Sequence, residues 1–232
     1  MKQDAGKFLI GSLLLAACLG SAAETDPNEF RKQAIAWNNR AAACHREGKY
    51  TEAESLYLRA LDGWTAAGLS LHPDAASTMA NLAATYRLQG DYVRAESLLE
   101  RALSVRKKAF GSAGPAVATT LNDIGELRML RKEFDSAGPF FVEALSAWKA
   151  SLEAEHPNVA IGLNNPAQSY RLAGRHAEAE PLYRQAIAIA EKAFGRANPE
   201  VAQMLRNLGG LFYDQGKYAG AARLYEQASG IL

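Results

Sequence analysis

The sequence repeats itself every 42 residues. Gly48-Lys49-Tyr50 returns as Gly90-Asp91-Tyr92, Lys132-Glu133-Phe134, Gly174-Arg175-His176 and Gly216-Lys217-Tyr218. Three residues past each aromatic position stand Ala53, Ala95, Ala137, Ala179 and Ala221, and seven further on Ala60, Ala102, Ala144, Ala186 and Ala228. A second marker keeps the same step: His72-Pro73, Gly114-Pro115, His156-Pro157 and Asn198-Pro199. A fixed period without insertions means a chain that grows by adding copies of one unit. One such unit buries too little to stand alone, so stacked neighbours must supply the core.

Each unit reads as two helices. Pro73, Pro115, Pro157 and Pro199 suit a first helical turn, where the missing N–H had no partner to lose. Asn198 and Gly114 are acceptable caps before that proline, whereas His72 and His156 are weak ones. The first helix should end near Gly90 and its equivalents, because glycine takes the left-handed turn conformation without a clash. Leu82, Ala83 and Tyr86 then form a stripe on the first helix of the second unit, facing Ala95, Leu98, Leu99, Ala102 and Leu103 on the next. The recurring alanines allow a close helix approach.

This pattern resembles the tetratricopeptide repeat, a 34-residue helix pair with small residues at its tightest contacts. Trp37, Ala41, Gly48, Tyr50, Ala53, Tyr57 and Ala60 occupy its marker positions in the first unit. The 42-residue step and the runs Asn81-Leu82-Ala83, Ala179-Glu180-Pro181-Leu182-Tyr183 and Ala60-Leu61 are similar to the kinesin-light-chain type, in which both helices are longer. The resemblance implies an all-α fold: an α-solenoid, wound as a right-handed superhelix, of five helix-turn-helix units. They fall at about 28–70, 71–112, 113–154, 155–196 and 197–232, after a leader and linker over 1–27.

In that family the first helices line a concave face that takes extended peptides. One column on them reads Asn39, Asn81, Asp123, Asn165 and Asn207. A carboxamide carries an acceptor and two donors, so a row of them can hold a ligand main chain. The same side chains could instead tie neighbouring repeats together. Flanking columns read His45, Arg87, Met129, Arg171, Tyr213 and Asn38, Ala80, Asn122, Asn164, Arg206. Their arginines, Arg87, Arg171 and Arg206, would favour carboxylates, which points to an acidic extended peptide with an aromatic anchor. Plain solubility is the simpler account of surface arginines.

Three places depart from the pattern. Pro166 stands in the middle of a first helix, where it removes an N–H and clashes with the carbonyl of Gly162, at a cost of about 3 kcal/mol in a straight helix. A kink eased by Gly162 is expected, and proline also pushes Asn165 off helical geometry. Lys132 replaces the turn glycine of the third unit, and Gly138-Pro139 interrupts its second helix. The last unit stops inside its second helix, which would leave Leu224, Tyr225, Ile231 and Leu232 partly uncovered. A longer array, a second copy or a partner could cover them.

Residues 1–23 read as a bacterial export signal: Lys2 and Lys7, an apolar run over Phe8–Ala17, then small residues. Leu15-Ala16-Ala17-Cys18 resembles a lipobox, implying lipid on Cys18 and, with Leu19 following, an outer-membrane anchor. Ser21-Ala22-Ala23 offers a simple cleavage site instead, leaving a periplasmic protein. The 26 basic against 25 acidic side chains give no footprint for nucleic acid. The two cysteines make no disulfide framework, and Cys44 reads as a small buried residue. Gly210 to Gly216-Lys217 is one residue too long for a phosphate loop, and Tyr218 follows where Ser or Thr is needed. Neither a catalytic motif nor a cofactor or metal site is expected, and Cys44-His45 point apart on a helix. The sequence therefore points to a non-enzymatic module that binds a protein or peptide in a groove. The alternative is a scaffold or self-assembling subunit of the cell envelope, with self-association through its C-terminal end.

Overall fold

The computed structural model describes residues 26–231. The leader, Cys18, both cleavage sites and Leu232 lie outside the described residues. Ten helices account for the described fold, with no strand among the described residues: α1 (Pro27–Arg46), α2 (Tyr50–Ala66), α3 (Pro73–Leu88), α4 (Tyr92–Phe110), α5 (Pro115–Leu130), α6 (Phe134–Ser151), α7 (Pro157–Leu172), α8 (His176–Phe194), α9 (Pro199–Asp214) and α10 (Tyr218–Ser229). Each packs on the next in sequence, and α1 also touches α3, as α7 touches α9. The result is an α-solenoid of helix pairs.

The sequence signals act where the spacing places them. Pro73, Pro115, Pro157 and Pro199 each open a first helix. The caps before them correct one expectation. His72 Nδ1 accepts from the Asp74 N–H at 3.2 Å and His156 Nδ1 from the Asn158 N–H at 3.1 Å, as the Asn198 carboxamide does from Glu200 at 2.8 Å. A neutral imidazole nitrogen thus meets an orphan helix donor in the way a side-chain oxygen does. Four turns use a glycine with φ near +75°; at the third, Lys132 takes φ 62° and the turn is kept.

The core is built at two kinds of contact. Within pairs, Ala53, Ala95, Ala137 and Ala179 are fully buried, so the helices approach closely. Between pairs, a large side chain near the end of α2, α4 and α6 meets the next first helix. Trp64 Nε1 donates to Thr78 Oγ1 at 3.0 Å, and Arg106, buried without a carboxylate, donates to Thr120 Oγ1 at 2.6 Å and to the Ala116 carbonyl at 3.2 Å. At the third junction Trp148 lies on Gly162, where a Cβ would stand 2.8 Å from the ring.

One part of the expectation at Pro166 is corrected: Asn165 stays helical. Helix α7 runs from Pro157 to Leu172 without interruption, with Pro166 buried, and Gly162 makes room for Trp148. Asn165 keeps its place in the column. Helix α6 likewise continues through Gly138-Pro139.

Candidate functional site

The first helices carry the asparagine column on one side, and the structure shows what those side chains touch. Asn81 donates to Asn38 Oδ1 at 3.3 Å, Asn165 to Asn122 Oδ1 at 2.6 Å and Asn207 to Asn164 Oδ1 at 3.0 Å. Each bond links one first helix to the next, between the two columns that the spacing had set side by side. Asn122 is buried and gives its own amide to Glu126 Oε1 at 2.9 Å. Asn39 is exposed, whereas Asn81, Asn165 and Asn207 are half-buried.

Capacity remains after these bonds. Asn81, Asn165 and Asn207 each give one amide hydrogen to a neighbour. Asn165 also accepts from Asn164 at 3.4 Å, and Asn207 from Gln203 at 3.1 Å. A carboxamide has two N–H groups and two lone pairs, so each keeps one donor and at least one acceptor position. The inter-repeat bonds meanwhile fix the planes of these groups.

The junction of the second and third pairs is different. Asp123 faces the position of Ala80, which has no polar side chain. No hydrogen bond reaches the Asp123 carboxyl among the described residues. Burial pushes this carboxyl up to about 7, Glu126 adds to the shift, and Arg106 and Arg87 oppose it.

The arginines stand among acidic or polar side chains of the chain itself. Arg171 Nε donates to Asp214 at 2.7 Å, over Gly210, and Arg87 faces Glu126 at 4.0 Å. Exposed Arg206 reaches Gln203 on its own helix. Glu126 and Asp214 were not singled out in the sequence: Ala84, Gln168 and Gly210 stand at the position of Glu126, so no column advertises it. Along the flanking column, His45 Nδ1 bonds Thr85 Oγ1 at 2.9 Å and meets Tyr50 edge-on at 5.6 Å. Tyr213 and Tyr218 repeat that edge contact at 5.3 Å, with Tyr213 exposed.

Cys44 is buried, and its thiol is raised above its usual range by burial and by Glu52. Among the described residues no group of three or more His, Cys, Asp or Glu side chains could hold a metal ion. None of the described helices is long and apolar enough to cross a membrane.

Helix pairs, glycine turns and small residues at one period define a helical-repeat solenoid. The model of the tetratricopeptide repeat matches residues 32–108, 116–192 and 163–232, and the chain belongs to that family, whose repeats mediate protein–protein interactions. No curated protein sequence matches the chain. Among solved structures, a kinesin-light-chain protein of nearly identical TPR-like repeats from Podosopora anserina is 22% identical, with a TM-score of 0.75 over 88% of this chain and 95% of that one. BtubC (BKLC) from P. vanneervenii is also 22% identical, with a TM-score of 0.73 over 91% of each chain. A Rap protein complexed with Competence and Sporulation Factor is 17% identical, with a TM-score of 0.67 over 86% of this chain and 54% of that one.

Proposed function

We propose that the protein binds an extended segment of another protein along the face lined by its first helices. The observation that carries this reading is the spare hydrogen-bonding capacity of Asn81, Asn165 and Asn207. Three half-exposed carboxamides, oriented by their neighbours, offer donor and acceptor together, as the C=O and N–H of an extended chain require. Pre-set geometry lowers the ordering cost of binding. The Rap protein, a neighbour of the same fold, was solved with a bound factor, which supports a ligand-holding use of such a solenoid. Asn38, Asn39, Asn122 and Asp123 belong to the same strip.

Recognition of the main chain comes first in this reading, and side-chain charge second. An acidic ligand meets Arg87 and Arg171 only in competition with Glu126 and Asp214, which leaves exposed Arg206 as the freest cation of the three. Tyr213, two turns further along α9, supplies an exposed aromatic surface. The action is binding and not catalysis. With residues 1–23 read as an export signal, this binding takes place outside the cytoplasm, in the periplasm or on a lipid anchor at Cys18.

A structural scaffold is the second reading, favoured by the same bonds: carboxamides that tie helix to helix are sufficient to explain a column. Contacts through the flanks or through the C-terminal end, where Tyr213, Tyr218 and Tyr225 are exposed, would then carry assembly. Affinity capture with residues 24–232, beside the Asn81→Ala/Asn122→Ala/Asn207→Ala variant, separates the two. Groove binding predicts partners lost from a variant that keeps its helical signal. Unchanged partners in the folded variant contradict it.

A further inference from the structure

The asparagine column has a gap. The first and second, third and fourth, and fourth and fifth pairs are joined by carboxamide bonds, whereas the second and third are not. Two changes fall together there: Ala80 stands where an acceptor would be, and Asp123 where a donor would be. Their result is a small cavity of about 60 Å³ with Ala80, Ala83 and Ala84 as apolar walls and the Asp123 carboxyl at its side. Arg87 and Glu126 also line it, 4.0 Å apart, so these two leave no net charge against an incoming cation.

The chemistry of this notch selects its occupant. The Asp123 carboxyl is half-buried and makes no hydrogen bond among the described residues, so it calls for a hydrogen-bond donor, and a charged donor most strongly. A cavity that holds a water needs roughly 10–15 Å³, so this one takes a group of ammonium size and the methylene next to it. Alanine walls suit the apolar stem of a lysine.

We propose that the notch between the second and third repeats is a specificity pocket for a primary ammonium group of the bound peptide, with Asp123 as its acceptor. The inference rests on the groove reading above and adds one subsite to it. The groups facing Asp123 are Arg87 on α3, Arg106 on α4 and Glu126 on α5. Burial holds the carboxyl near 7, so the pocket strengthens as pH rises through that value and the carboxylate forms.

The probe is a random octapeptide library, N-acetylated in one arm and with free N-termini in the other, passed over the immobilised protein at pH 8. Retained peptides are sequenced for the native chain, for Asp123→Asn and for Ala80→Asn, which fills the cavity with the residue found elsewhere in its column. The native chain should enrich lysine at least fivefold at one position of the acetylated library, if the side chain is the source. Enrichment confined to the free N-terminal arm assigns the pocket to the α-amino group and also supports it. Both variants should keep their helical signal while losing this enrichment. Retention without lysine or N-terminal selection, or selection that persists in either folded variant, overturns the pocket and leaves the groove standing. A native chain that retains no peptide overturns both.

Discussion

Asn165 donates to Asn122 across the junction of the third and fourth repeats at 2.6 Å, although Pro166 follows it directly in the chain. The bond survives because α7 stays helical through the proline, with a bulky neighbour, Trp148, seated on Gly162 one turn earlier. Removing the donor with Asn165→Ala leaves the buried Asn122 oxygen without its partner. The expected loss is about 1–2 kcal/mol, read as a lower urea midpoint with an unchanged slope. A midpoint equal to that of the native chain would show that this bond contributes nothing to the stack.

The same contact sets a second expectation. Gly162→Ala would ordinarily favour a helix by about 1 kcal/mol. Here the added methyl would stand 2.8 Å from the Trp148 ring, so overpacking by roughly 1–3 kcal/mol should outweigh it. A lower melting temperature is the predicted outcome. A higher one would mean that Trp148 moves aside freely and that the glycine has no packing role.

Lys132 gives the opposite sign. It holds φ 62° in the turn where four other repeats use glycine, a conformation in which a Cβ costs about 1 kcal/mol. Lys132→Gly should therefore stabilise the chain by roughly 0.5–1 kcal/mol. Thermal unfolding of the two proteins side by side decides it, and a destabilised variant would contradict the strain.

Much of this fold was legible in the sequence because its signals are local. Proline at the helix start, glycine at the turn and alanine at the tight contact each act within a few residues of their own position. The candidate face was legible as columns, and its pairings were not. Asn81 meets Asn38 rather than Asn39 because successive repeats are offset, and a single period does not reveal that offset. Asn165 was expected to leave helical geometry before Pro166 because the effect of the proline was weighed for one helix alone. The packing of Trp148, Asn122 and the neighbouring repeats over-determines α7. His72 and His156 were underrated as caps because propensity scales rank residues, whereas the helix end needs only one well-placed acceptor.

Asp123 makes stability depend on pH. Its carboxyl is raised from 3.8 to about 7, so between these values the folded chain holds a proton that the unfolded chain has released. Stability from this group is full below pH 4 and falls as pH rises towards 7. Asp123→Asn removes that slope and should gain on the order of 2–4 kcal/mol at pH 8 relative to the native chain. Urea midpoints at pH 4.5 and pH 8 test it: parallel behaviour of the two proteins would place the Asp123 carboxyl in an ordinary solvated state.

The leader carries a separate expectation. Cys18→Ser should release the protein from the membrane fraction of a bacterial host if lipid is attached at that sulfur. Fractionation with an unchanged membrane share would leave cleavage after Ala23, or another attachment, as the route of export.

The most direct test of the account is hydroxyl-radical footprinting of the mature chain alone and saturated with a captured partner. His45, Met129 and Tyr213 lie in one column beside the asparagines, while Phe110 and Phe194 are exposed at the ends of second helices. Binding along the first helices predicts at least threefold slower oxidation at His45, Met129 and Tyr213, with Phe110 and Phe194 unchanged. Protection of the two phenylalanines with the column left reactive would contradict it and assign the contact to the outer flank.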